Sequence, residues 1–448
     1  MPEPNGSSPR VLGLTSATAI VVASMVGSGI FGITGLYAAK VGTPANLLLP
    51  WLIGAVLALC GALSLAELGA AIPCSGGTIA FVRRAYGPRV GYLAGMVTLL
   101  AGYVFSVTLV ALFLAGFLED FLPGEQDDRL LALGAILLAC TGQLFGVRAG
   151  VRLNDLLTVV KVMLIGSLIA VGVLAVPTAG ATPPGSYPSP LSAPVAEATL
   201  AVSFAYLGWS AIADVAGEVR SPGRTLPIAI TAGVLSVSVL YLGMNLVYLR
   251  SAAPVEMVRD DGPVKDIGAF AMTRLLGPKA GQAVAIVLSV SIFSTLVAGM
   301  IAAARVLERL ALDRDLPAWP ARREVDGTPR RAIAVVGVGA CLGLLIGPLE
   351  DLLNLIGTLV AIFSSLSVAA VISLRRREPD LARPFRVPFY PLPPVAYLAL
   401  SLWVVVTSAL GSGVRSLVAS AAVIALLLLV RPLLADRSKA DDSAQTIE

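Results

Sequence analysis

Apolar residues run through this chain in long unbroken blocks. They show neither the three-and-four spacing of a surface helix nor the alternation of a half-buried strand. Each block is long enough for a helix to cross about 30 Å of hydrocarbon, and short polar, Pro/Gly-rich or Arg-bearing segments separate one from the next. The pattern predicts twelve helices, at 11–39, 46–73, 90–118, 130–146, 154–176, 196–217, 226–249, 278–304, 332–348, 352–374, 393–411 and 414–432. A membrane barrel would show alternating segments of about ten residues instead. The longest polar interruption in the first half of the chain, "VPTAGATPPGSYPSP" at 176–190, has no apolar period and falls between the fifth and sixth blocks. It is the expected seam between two halves. The chain then divides into a tail (1–10), a first repeat (11–176), a connector (177–195), a second repeat (196–374), a loop with two further helices (375–432) and a second tail (433–448).

Charge assigns the sides. With both termini placed inside, the inner segments collect Arg10, Arg83, Arg84, Arg89, Arg148, Arg152, Arg220, Arg224, the arginines between 305 and 331, those between 375 and 386, and Arg431, Arg437 and Lys439. The outer segments hold only scattered bases such as Lys40 and Arg129, and the stretch "EDFLPGEQDDR" at 119–129 is acidic. This is the positive-inside bias expected for an even number of spans, and it predicts an integral protein of the cytoplasmic membrane with both ends in the cytoplasm. The run Arg375–Arg377 reads as a topology anchor and not as a lipid or nucleic-acid site. The first ten residues show no charged-then-apolar leader, so the first helix is expected to act as the insertion signal.

Composition sharpens the class. The 448-residue chain is 56% hydrophobic and 13% charged, with mean hydropathy +0.86, where soluble domains carry about 25% charge. It contains no histidine, which removes the commonest metal ligand and proton relay. The four cysteines, Cys60, Cys74, Cys140 and Cys341, lack metal-type spacing and read as small apolar residues. No nucleophile–base pair falls in the helices, so an enzyme is not expected, nor any catalytic residue, metal, cofactor or nucleic-acid partner.

Two blocks carry interruptions. In "MVGSGIFG" at 25–32, three glycines and a serine sit inside the first apolar block, although glycine in a helix interior costs about 1 kcal/mol against alanine. Close packing through small residues is one explanation; an unwound segment is the other. If the chain is two repeats of five helices plus two, the sixth block corresponds to the first. It reads "LAVSFAYLGWSAIADVAGEV" at 200–219, with Phe204, Tyr206, Gly208 and Trp209 crowding its middle. Paired breaks at corresponding positions point to a transporter site at the membrane midplane, since bare backbone at that depth is tolerated only when buried or lining a cavity. Half-helix amides attract an anionic group and freed carbonyls a cation, which suits a ligand carrying both carboxylate and ammonium.

These segments resemble the amino acid–polyamine–organocation (APC) superfamily. "GSGIFG" is similar to its first-helix signature. "AELGAAIPCSGGTIAFVRRAYGPRVGYLAG" (66–95), "NDLLTVVKVMLIG" (154–166), "FAYLGWSAIADVAGEVRSPGRTLPIAI" (204–230), "AAARVLERLALDRDLPAW" (302–319) and "RREPDLARPFRVPFYPLPP" (376–394) follow the family's order along the chain. The wording of the sixth helix is closest to L-type amino acid exchangers and related bacterial permeases. The resemblance implies an all-α polytopic membrane protein of twelve transmembrane helices, folded as a five-plus-five inverted repeat with broken helices one and six. It also implies secondary transport of amino acids or related amines. It places the substrate at Gly27, Ser28, Gly29, Ile30, Phe204, Ala205, Leu207 and Gly208. The amides near Ser28, Gly29 and Ile30 would hold the carboxylate, the carbonyls of Phe204, Ala205 and Leu207 the ammonium, and Phe204 would gate. Ser210 stands where acid-resistance exchangers carry a glutamate.

Lys161 lies seven residues into the predicted fifth helix from Asn154, roughly 10 Å along the axis at 1.5 Å per residue. A charged lysine at that depth is costly unless paired, which makes it a functional candidate by default, able to exchange its proton during transport; snorkelling to the polar face is the plain alternative. The resemblance implies that this lysine replaces a bound sodium and meets small polar residues of the eighth helix, Ser294 or Thr295. The expected activity is sodium-independent amino acid transport by alternating access, with proton symport through Lys161. The alternatives are an exchanger, or a polyamine or organic-cation permease, the latter disfavoured because the two broken segments lack carboxylates. The expected partners are an amino acid, protons and the bilayer, with no accessory subunit evident. Glu67, Asp214 and Glu218 are expected to pair with loop arginines.

Overall fold

The computed structural model describes residues 12–72, 77–118, 121, 127–144, 147–180, 182–210, 216, 219–259, 262–321, 329–412 and 414–434. The chain starts with α1 (Leu14–Met25) and α2 (Gly29–Val41), whose axes bend by 41° across a three-residue break. α3 (Pro44–Ala71) is started by Thr43, whose hydroxyl accepts from the Asn46 amide at 3.2 Å, and by proline in the first turn, where its missing N–H costs nothing. α4 (Gly77–Tyr86) leads to a 31-residue span made of α5 (Pro88–Val97), a π-helical stretch (Thr98–Val104) and α6 (Phe105–Leu118). α7 (Asp128–Leu144), α8 (Val147–Leu174) and α9 (Ala193–Ala205) follow. Then come α10 (Pro222–Ser251), α11 (Ile267–Leu276), α12 (Pro278–Leu312), α13 (Arg330–Gly343), α14 (Leu349–Arg377), α15 (Leu392–Ser412) and α16 (Arg415–Leu434). Among the described residues, seven helices are long and apolar enough to cross a membrane, or eight if α1 and α2 form one bent span. The protein is a polytopic helical membrane protein.

Three elements depart from the expected pattern. α4 falls where a loop is expected, because its arginines, Arg83 and Arg84, break the apolar run; it is amphipathic and buries Ile79, Phe81, Val82 and Ala85. The stretch after α10 forms a short antiparallel hairpin, Val258–Arg259 with Gly262–Pro263, and then α11, which packs on α12 and buries Ile267, Ala271 and Met272. α8 begins at Val147 and not at 154, since a helix continues past the apolar edge once its end reaches polar surroundings. The sixth expected span is helical over 193–205 and then turns through 206–210. Asp214, Glu218 and Cys74 lie outside the described residues.

The helices pack as two groups. α10 runs along α1 and α3, and α9 packs on α2 and α3; α6, α7, α12 and α13 pack on one another. α8 touches both groups, through α10 and α12. α14 and α15 flank α9 and α3. At the arginine-rich end Glu67 of α3 is buried and accepts from Arg375 Nε at 2.8 Å and Nη2 at 2.5 Å, and from the Val387 amide at 2.7 Å. Its pairing with arginine ties α3 to α14 and to the loop beyond it.

Candidate functional site

The first break is local chemistry made visible. α1 stops where Val26 leaves the helical region (φ −73°, ψ 95°) while its amide still bonds Val22 O at 2.9 Å. α2 restarts at Gly29, and Phe31 N reaches back to Ser28 O at 3.1 Å. First-turn amides of a helix have no carbonyl within it to bond, so the start of α2 offers N–H groups at the positive end of its dipole. Ser28 is 2% exposed, and its hydroxyl has no hydrogen-bond partner among the described residues.

The second break follows α9. Tyr206 N bonds Val202 O at 3.1 Å, Leu207 N bonds Phe204 O at 3.0 Å, and Gly208 then takes φ +106°. That conformation is open to glycine and strained for other residues. The Tyr206 ring turns away from the break and is held by its hydroxyl on Trp51 O at 3.2 Å. Trp209 also turns away, packing edge-on to Tyr397 and over Gly61. Phe204, Leu207 and Gly208 remain partly exposed.

The breaks interlock. A Cβ on Gly29 would stand 2.7 Å from Ala205 Cβ, and one on Gly208 only 2.3 Å from Ser24 O. The start of α2 therefore lies on the end of α9, and the turn after α9 on the end of α1. Gly27 faces α12, where an added Cβ would lie 3.8 Å from Thr295 Cγ2. Gly32 makes room for the Phe113 ring. Within one motif, then, glycines serve both explanations raised by the sequence: a chain break, and close helix packing.

A seam on α10 joins the two breaks, and reasoning from sequence overlooked it. The Tyr241 hydroxyl lies 2.7 Å from Met25 O and 3.0 Å from Ala205 O, so one proton is shared between the last carbonyls of α1 and α9. Asn245 accepts from Thr34 Oγ1 at 2.7 Å, and Tyr248 OH donates to Ile30 O at 3.2 Å. All three α10 residues are fully buried. The signal was their spacing of four and three, which sets them on one helix face in a largely apolar run.

Lys161 stands fourteen residues from the start of α8, ~21 Å along it at 1.5 Å per residue. It is 4% exposed, and Nζ donates to Thr295 Oγ1 at 2.7 Å. Thr295 Oγ1 in turn donates to Ser291 O at 3.2 Å. Ser294 is buried on the same stretch of α12. The ammonium and the first break are thus joined through one threonine, whose hydroxyl takes Lys161 and whose methyl faces Gly27. Among the described residues, no group of three or more Cys, Asp or Glu is arranged to hold a metal.

The profile of a family described as amino acid permease matches residues 12–430. The chain belongs to the amino acid permease family. It is a transporter and not an enzyme. The permease is 28% identical over 399 residues to the serine/threonine exchanger SteT of Bacillus subtilis, covering 88% of this chain and 90% of that one. It is 28% identical over 411 residues to the human large neutral amino acids transporter small subunit 2, covering 89% and 76% of the two chains. It is 27% identical over 421 residues to the methylthioribose transporter of Bacillus subtilis, covering 88% and 87%.

Proposed function

We propose that this permease moves neutral amino acids across the cytoplasmic membrane by alternating access, without sodium. The reading takes twelve spans with both termini inside, arranged as two inverted repeats of five, with the α1–α2 break and the turn after α9 as the broken first and sixth members. The amino acid's carboxylate binds the amides at Ser28, Gly29 and Ile30, and the Ser28 hydroxyl is placed to add a bond. Its ammonium binds the carbonyls of Phe204, Ala205 and Leu207; Ala205 O keeps a second lone pair beside the one that Tyr241 uses. Gly27 and Gly208 let backbone approach the ligand, and the partly exposed Phe204 ring closes over it. The observation that carries the sodium-free reading is the Lys161–Thr295 bond beside the first break, where a fixed ammonium supplies the positive charge a bound cation would otherwise bring.

Lys161 supports proton symport, since a buried amine held by a neutral hydroxyl can release its proton when the site opens to one side. The likeness to the serine/threonine exchanger favours a second reading, obligatory exchange. Uptake of labelled serine, threonine and leucine into proteoliposomes tests both. Symport requires uptake into empty vesicles driven by an inward proton gradient. Exchange requires unlabelled substrate inside and ignores the gradient. Uptake that depends on sodium would overturn the proposal.

A further inference from the structure

The run Arg375–Arg377 closes α14, and its three guanidiniums go to different places. Arg375 is turned inward onto Glu67 and lies over the Tyr390 ring, 3.7 Å from its centroid. Arg377 donates through Nη1 to Ala85 O at 2.7 Å and is otherwise exposed. Arg376 is exposed and, among the described residues, has no hydrogen-bond or ion-pair partner. The next residue, Glu378, is taken by Arg84 at 3.0 and 2.6 Å, so the carboxylate closest in sequence is already paired.

Arg376 and Arg377 border an open surface hollow of ≈ 320 Å³, lined also by Ala369, Ile372 and Ser373. The five residues repeat at three- and four-residue intervals, so they form one face of α14. Over eight residues, ~12 Å of helix, this face grades from apolar (Ala369, Ile372) through a hydroxyl (Ser373) to two cations. α14 is a 29-residue span, so its arginine-bearing end emerges at the depth of lipid headgroups.

We infer that this groove binds one anionic phospholipid. The phosphate sits between the Arg376 and Arg377 guanidiniums with the Ser373 hydroxyl as a third donor, and an acyl chain follows Ile372 and Ala369 into the hydrocarbon layer. Charge decides the occupant: among the described residues no acidic side chain lines the groove, two arginines face a single phosphate well, and a headgroup carrying its own cation would set that charge against them.

The test is native mass spectrometry of the full-length detergent-purified protein, titrated with phosphatidylglycerol or phosphatidylcholine. Wild type is expected to bind phosphatidylglycerol at least about tenfold more tightly, as two interfacial arginines allow. The pair Arg376→Gln with Arg377→Gln, and separately Ser373→Glu, should remove that preference and leave phosphatidylcholine binding unchanged. Arg330→Gln, an exposed cation elsewhere, should keep it. Equal affinity of wild type for the two lipids overturns the assignment. So does undiminished phosphatidylglycerol preference in the arginine pair or, should that variant not fold, in Ser373→Glu.

Discussion

Gly208 and Lys161 are the residues on which the proposed site most depends, one by what it lacks and the other by what it brings. A methyl on Gly208 would meet Ser24 O at 2.3 Å from a backbone at φ +106°, a conformation whose strain for other residues is of order 1–3 kcal/mol. Gly208→Ala should therefore lower the melting temperature and weaken substrate binding about tenfold or more, read by thermal unfolding with and without ligand. Lys161→Ala should leave a folded protein that elutes normally and no longer accumulates substrate. Both residues were legible in the sequence as anomalies, glycine and lysine inside apolar blocks where a plain span would carry leucine. Tyr241 was not, because a tyrosine in a membrane helix has many uses. Only the fold brings Met25 O and Ala205 O to one hydroxyl.

At the scale of elements, α10 acts as a splint on two half-helices. Removing the shared proton by Tyr241→Phe frees the end carbonyls of α1 and α9 together. A buried hydrogen bond of this kind contributes about 1 kcal/mol, so the variant should melt at a lower temperature. Its substrate affinity should fall further than that of Tyr248→Phe, which releases only Ile30 O. Binding that falls equally in both variants would show that Tyr241 has no special place. The long apolar helices were readable because hydropathy alone defines them. α4 and α11 were not, being short and amphipathic; their apolar faces are buried against neighbouring helices and are not evident from a run of apolar residues. The π-helical stretch at 98–104 leaves no mark in composition.

In the whole molecule, α1, α2, α3, α9 and α10 form one packed group and α6, α7, α12 and α13 another, with α8 in contact with both. Lys161 sits on that linking helix and bonds to α12, while Thr295 faces the break in the other group. In the proposed mechanism, a site at such a junction would change whenever one group tilts against the other, and this would link substrate binding to alternating access. The measurement that tests this most directly is sodium-free uptake of a labelled neutral amino acid into proteoliposomes by wild type and by Lys161→Ala. The account predicts uptake by the wild type that added sodium leaves unchanged, and none by the variant. A sodium requirement in the wild type, or undiminished accumulation by the variant, would contradict it.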